Sequence, residues 1–97
     1  MLFANKIRYL RENKHLLQRQ LAAALEIDTP MYSKIERGDR RVKREQVITL
    51  ANLLQVDSEE LLTLWLADQV YSVVKGTKHV GKVLNIVQEN IAEYGKK

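Results

Sequence analysis

A dense cluster of basic side chains lies in the middle of the sequence, where the eleven residues 34–44 hold six basic and two acidic side chains, a net charge of +4. The basic members are Lys34, Arg37, Arg40, Arg41, Lys43 and Arg44. Residues 1–56 contain eleven Lys and Arg against six Asp and Glu, whereas residues 57–97 contain five against six. This asymmetry predicts a polyanionic partner for the first part of the chain and a different role for the second.

Enzymatic or metal chemistry has little support elsewhere in the sequence. The chain has no cysteine, hence no disulfide and no thiolate metal site, and His15 and His79 have no second ligand at a suitable spacing. Glu59 and Glu60 are better explained as helix-capping residues than as a catalytic carboxylate pair. A chain of 97 residues suits one domain without a deep substrate cavity. We therefore expect a binding protein, not an enzyme, with no metal, cofactor or small-molecule ligand.

No membrane partner is expected either. Uninterrupted apolar runs such as residues 64–67 are far shorter than the roughly 20 residues that span a bilayer. Lys6 and Arg8 also interrupt any signal-peptide core near the start of the chain. The sequence predicts a soluble cytoplasmic protein.

The elements that must position the basic cluster are helices, because apolar residues recur at three- and four-residue spacing and no strand pattern is found. The predicted helices run from about residue 3 to residues 12–15, then over residues 18–25, 30–37, 43 or 44 to 54, 58–74 and 78–94. The fold class is therefore all-α.

Start signals accompany three of these helices. Thr29 followed by Pro30 predicts an N-cap and a first helical residue, since proline lacks an N–H that has no helical partner there anyway. Asp57, with Glu60 three residues later, predicts a capping box for the fifth helix. Thr77 is the predicted cap of the sixth.

The second and third helices are short and are joined by a turn of about three residues. If they cross steeply, their apolar side chains face a shared core, and the small Ala22 lies where a larger side chain would collide. The core residues predicted there are Leu21, Leu25, Tyr32 and Ile35, with Ile27 filling the turn. The opposite face of the third helix is then free to contact a partner.

Four stretches, spaced in order over about sixty residues, carry a family resemblance: "IRYLR" at 7–11, "QRQLA" at 18–22, "IERG" at 35–38 and "LANLLQVDSEEL" at 50–61. Together they resemble the helix-turn-helix domain of the Cro and phage-repressor class, the XRE family. The resemblance implies a five-helix phage-repressor-like domain in residues 1–66, here with an extended fifth helix and an additional C-terminal helix within residues 67–97. Three residues depart from the family pattern: Glu26 replaces a turn glycine, Leu17 replaces a Thr or Ser cap, and Tyr32 replaces a smaller aliphatic residue.

The resemblance also implies roles for individual residues. The third helix would enter the major groove of double-stranded DNA, and the residues facing base edges would be Thr29, Pro30, Ser33 and Lys34. The residues facing phosphates would be Gln18, Arg37, Arg40, Arg41, Lys43 and Arg44. Arg11 and Glu36 would form a structural ion pair.

The second half of the chain predicts an interface of another kind. Apolar residues surround much of the fifth helix instead of forming one stripe, so something must cover the extra face. A second subunit is the economical candidate, with an interface predicted at Trp65, Val70, Tyr71, Val74, Val80, Leu84 and Val87. A larger monomeric core is the alternative.

These features predict a sequence-specific, double-stranded-DNA-binding transcriptional regulator, a homodimeric repressor or controller protein. The alternative is a protein-interaction adaptor or antitoxin-like partner that holds another protein with its C-terminal helices.

Overall fold

A computed structural model describes residues 1–94, and every regular element within them is helical, which confirms the all-α fold. The six helices are α1 (Leu2–Asn13), α2 (Gln18–Ala24), α3 (Thr29–Glu36), α4 (Arg44–Leu54), α5 (Ser58–Val74) and α6 (Val80–Tyr94). The end of the predicted C-terminal extension, residues 95–97, lies outside the described residues. Helices α1 to α5 pack around one core, whereas no residue of α6 is buried.

The core draws at least one fully buried side chain from each of the first five helices. Its largest members are Ile7, Leu21, Tyr32, Val47, Leu50, Leu54 and Leu61. Because burying an aliphatic side chain of this size stabilises a fold by about 1.5–3 kcal/mol, these residues hold the small domain together.

Helices α2 and α3 pack as the apolar pattern predicts. Leu21 and Tyr32 are fully buried, and Ile35 is 2% exposed. Ile27 is partly buried against the core, and its backbone N–H donates to the carbonyl of Ala22 at 3.0 Å, which closes the turn. Glu26 adopts a φ of 58°, so the residue that replaces the family's turn glycine does occupy left-handed backbone, at a cost of about 1 kcal/mol.

Ala22 is 2% exposed within this helix crossing. We expect Ala22→Leu to lower the free energy of unfolding by about 1–3 kcal/mol, because the added atoms must displace side chains from a filled core. The neighbouring Ala23 is exposed, so Ala23→Leu is a matched control with the same change of volume. Urea unfolding of both variants measures the difference. Equal stability of the two would show that the helices do not meet closely at Ala22.

The cap predicted for α3 is wrong by one residue. Asp28 is the N-cap, and its carboxylate accepts a hydrogen bond from the N–H of Met31 at 2.7 Å, while Thr29 and Pro30 are the first two helical residues. Aspartate and threonine are both good caps, and here the extended backbone of Asp28 determines which one is used. The correction leaves Thr29 in the helix, with its side chain exposed.

The caps of the last two helices also differ in part from the predictions. Asp57 caps α5 as expected, accepting from the N–H of Glu59 at 3.1 Å, but Glu60 does not complete a capping box. The Glu60 carboxylate lies instead 3.7 Å from the Lys6 ammonium group. Thr77 does not cap α6, because that helix begins three residues later and its first carbonyl acceptor is that of His79.

The start of α1 is capped by a residue from the far end of the domain. Asp68 on α5 is 8% exposed, and its carboxylate accepts the backbone N–H groups of Leu2 at 3.0 Å and Phe3 at 2.9 Å. These are two of the four N–H groups that an α-helix leaves unpaired at its N-terminus. Helix α5 therefore continues past the predicted boundary at residues 66 and 67 while still packing on α1.

Trp65, one of the residues predicted for the dimer interface, packs against the core of its own chain. Its side chain is partly buried against the core, and its indole N–H donates to the carbonyl of Val42 at 2.9 Å. Because tryptophan combines a large apolar ring with one polar group, it suits this position between a helix and a loop. Trp65 therefore contributes to the core of the domain, and its substitution would disturb the fold itself.

Candidate nucleic-acid interface

Helix α3 has one face in the core and the other towards solvent. Tyr32 and Ile35 are buried, whereas three of the predicted base-facing residues, Thr29, Pro30 and Lys34, are exposed. Ser33, the fourth, is partly buried. The packing thus brings the four side chains to the surface of one short helix, where all of them can be reached from outside.

Arg11 and Glu36 hold α3 against α1 through the ion pair that the family resemblance implies. Arg11 Nε donates to Glu36 Oε2 at 2.7 Å and Arg11 Nη2 donates to Glu36 Oε1 at 3.1 Å, which makes the contact bidentate. The remaining terminal nitrogen of Arg11 donates to the carbonyl of Leu16 at 3.0 Å. Since the side chains of Arg11 and Glu36 are only 13% and 3% exposed, the pair is largely removed from water.

Gln18 belongs to the same network. Its side-chain amide donates to Glu36 Oε1 at 3.1 Å, which links the first residue of α2 to the last residue of α3. An amide nitrogen carries two hydrogens, so one N–H of Gln18 remains for the predicted phosphate contact. The interaction with Glu36 would hold that N–H in a fixed position.

The network determines the charge state of its members. Burial alone would raise the pKa of Glu36, but the hydrogen bonds from Arg11 and Gln18 and the positive charge of Arg11 outweigh it and leave that pKa below its usual value. Burial, together with the neighbouring Glu36 carboxylate, raises the pKa of Tyr32 far above its usual value. Glu36 is therefore an ionised structural acceptor and Tyr32 a neutral phenol at neutral pH.

A basic loop, residues 37–43, leaves the C-terminal end of α3. Its second residue is Gly38, whose φ of 79° is a left-handed conformation that favours glycine. Arg37 lies 3.3 Å from the Asp39 carboxylate in an exposed pair of the kind that contributes little to stability. The other four predicted phosphate-facing residues, Arg40, Arg41, Lys43 and Arg44, are exposed and form no ion pair within residues 1–94.

The arrangement places a solvent-facing helix beside a run of cationic side chains. Lys and Arg at such positions can neutralise phosphates and release condensed counterions, while short polar side chains on the helix can approach base edges. Two polar residues with structural roles, Asp28 and Asp68, were not identified as such from the sequence. The signal for Asp28 was its place just before Thr29, whereas nothing local marked Asp68 as the cap of a distant helix.

The described part of the chain contains neither a metal-binding cluster nor a membrane-spanning helix. Within residues 1–94 no cluster of three or more His, Asp or Glu side chains could hold a metal ion. None of the helices in this part is both long and apolar enough to cross a membrane.

Comparison with known proteins agrees with this geometry. Residues 7–61, more than half of the chain, match the family described as helix-turn-helix, and the match spans α2, α3, the basic loop and the start of α5. No curated protein and no solved structure matches the chain. The chain therefore belongs to the Cro/C1-type helix-turn-helix family, the XRE family of DNA-binding regulators.

Proposed function

We propose that this chain is a sequence-specific transcriptional regulator that reads the major groove of double-stranded DNA with α3. The proposal rests on one observation: the exposed face of α3 is followed in the chain by four cationic side chains that form no ion pair within residues 1–94. In helix-turn-helix proteins the second helix of the motif contacts base edges while flanking groups contact phosphates.

The proposed readers differ in what they can recognise. Lys34 can donate to O6 and N7 of guanine, and the hydroxyls of Thr29 and Ser33 can bond to several base edges. Pro30 has no donor, so it can only contact an apolar group such as the thymine methyl. The residues proposed for phosphate contact, Gln18, Arg37, Arg40, Arg41, Lys43 and Arg44, would set the position and orientation of α3 without carrying sequence information.

The division into readers and phosphate contacts makes a measurable prediction. Ser33→Ala and Lys34→Ala should reduce the preference for the specific site by about 1–3 kcal/mol per lost base contact. Arg41→Ala and Arg44→Ala should instead weaken binding to specific and random duplexes equally. They should also make the slope of log K against log salt concentration shallower by about one per lost phosphate contact.

The measurement begins by selecting bound duplexes from a random pool, which supplies the specific site. Titrations of that site and of a shuffled duplex at several salt concentrations then separate the two classes of residue. A uniform effect of all four substitutions on both duplexes would contradict the assignment of α3 as the reading helix.

The proposed regulator is a homodimer. Apolar side chains remain uncovered on the second half of α5 and on α6, with Val70, Tyr71, Leu84 and Val87 between 40% and 63% exposed. Five apolar residues of α6 fall at positions 80, 84, 87, 91 and 94, an alternating spacing of four and three that places these five on one stripe. Two copies that pair through these faces would place two α3 helices about 34 Å apart on a pseudo-palindrome.

The proposed interface comprises Val70, Tyr71, Val74, Val80, Leu84 and Val87, and Trp65 is left out because it packs on the core. A dimer bound across a promoter would exclude polymerase, so repression is the proposed direction of regulation.

The same exposed faces support the second candidate, a protein-interaction adaptor that holds a different chain. Sedimentation of the purified protein separates the two, because a homodimer forms without any added partner and an adaptor alone remains a monomer.

A further inference from the structure

A second group of basic side chains surrounds the connection between α5 and α6. It comprises Lys75, Lys78 and Lys82, and residues 75–88 contain neither Asp nor Glu. All three lysines are exposed, and within residues 1–94 none of them forms an ion pair. The helix-turn-helix motif does not account for this group, since the family match ends at residue 61.

The tertiary structure brings Lys75, the first member of this group, into one cleft with the basic loop. Arg40 and Arg41 line a cleft of about 410 Å³, and Lys75, at the C-terminal end of α5, lines the same cleft. Both acidic residues in its walls are engaged: Asp68 accepts two backbone N–H groups of α1, and Asp39 accepts from Arg37. Lys75 therefore extends the basic surface of the loop after α3 to the C-terminal end of α5, and Lys78 and Lys82 follow it in the chain.

We propose that Lys75, Lys78 and Lys82 form an additional DNA-backbone contact, which binds phosphates next to those contacted by the basic loop. The proposal rests on the proposed DNA binding. A lysine ammonium group on a long flexible stem interacts with phosphate as a point charge, and each phosphate so neutralised releases counterions. Such contacts carry no sequence information, so they should strengthen binding to specific and random duplexes alike.

The test is the salt dependence of binding by the Lys75→Gln/Lys78→Gln/Lys82→Gln variant of the full chain. On a duplex extended at both ends, the slope of log K against log salt should become shallower by about 0.9 per lysine, or about 2.7 in total. Lys6→Gln is the control for a general change in net charge, because Lys6 lies near Glu60 on another part of the surface. Its slope should stay close to that of the native chain.

Two further measurements locate the effect. Lys75→Gln alone leaves α6 unchanged and should make the slope shallower by about 0.9. This single variant therefore excludes altered pairing of α6 as the cause of the change in slope. On a duplex trimmed to the bases contacted by α3 and the basic loop, the triple variant and the native chain should have equal slopes. If the slope is unchanged in both lysine variants but becomes shallower in Arg41→Ala, the additional lysine contact is overturned and the proposed DNA binding is not. Absence of DNA binding by the native chain would overturn the proposed function as well.

Discussion

Replacement of Arg11 by alanine will destabilise the fold by about 3–5 kcal/mol, which is a large part of the stability of a small domain. The substitution leaves the Glu36 carboxylate, whose side chain is 3% exposed, without its bidentate partner. One hydrogen bond from Gln18 remains, but it supplies no compensating positive charge. The cost is that of a buried anion with no counterion, and it exceeds what the intact pair contributes by itself.

Arg8→Ala is the matched control, because Arg8 lies on the same helix and is also paired. Its guanidinium lies 3.8 Å from the Glu12 carboxylate, with side chains 61% and 56% exposed. Exposed pairs of this kind contribute about 0–1 kcal/mol, so urea unfolding should separate the two variants clearly. If both variants lost similar amounts of unfolding free energy, burial of Glu36 would not increase the contribution of its ion pair to stability.

The pH dependence of stability provides an independent check on the same pair. The folded state holds the pKa of Glu36 below the ordinary value of 4.5, so the unfolded state takes up the proton first as the pH falls. The contribution of Glu36 is therefore complete above that ordinary value and is lost as the pH falls through the lower pKa of the folded state. In Arg11→Ala, uncompensated burial would raise the pKa of Glu36, and lowering the pH would then reduce the destabilisation instead of adding to it.

Breaking the proposed dimer should have the largest effect on DNA affinity. We expect Leu84→Gln with Val87→Gln to convert the protein to a monomer and to weaken binding to a palindromic duplex by about 10²- to 10⁴-fold, the gain that linked half-sites typically provide. No residue of α6 is buried against the rest of the chain, so the helix-turn-helix motif should remain folded. Binding to a single half-site should change little.

Ile86→Gln is the control for this prediction. Ile86 is 60% exposed on α6 but lies away from the stripe formed by positions 80, 84, 87, 91 and 94, so its loss should leave the dimer intact. Sedimentation measures the assembly state, and gel-shift titrations on the palindrome and on one half-site measure the affinities. A double variant that still sediments as a dimer would place the interface away from α6, and a native monomer would favour the adaptor function.

Much of this protein can be predicted from its sequence, because local interactions determine much of it. The helices follow from apolar residues at three- and four-residue spacing, and observed helix ends lie within about two residues of most predictions. The burial of Tyr32 and Ile35, and with it the exposed face of α3, follows from the same periodicity. The Arg11–Glu36 pair was expected from the family resemblance, since no local pattern connects residues on different helices.

Tertiary structure alone decided the contacts between residues that are distant in the chain. A lone aspartate in an apolar helix does not reveal that it caps α1, and that role of Asp68 requires α5 to lie across the start of α1. The orientation of the Trp65 indole towards Val42, and the position of Lys75 in the same cleft as Arg40, likewise depend on how α5 packs. Local pattern determined the helices and their buried faces, because helical periodicity is set over a few residues. Packing of α5 across the domain decided which polar groups meet. Hydrogen bonds and close ion pairs require separations of a few ångströms, and residues distant in the chain reach such separations only in the folded protein.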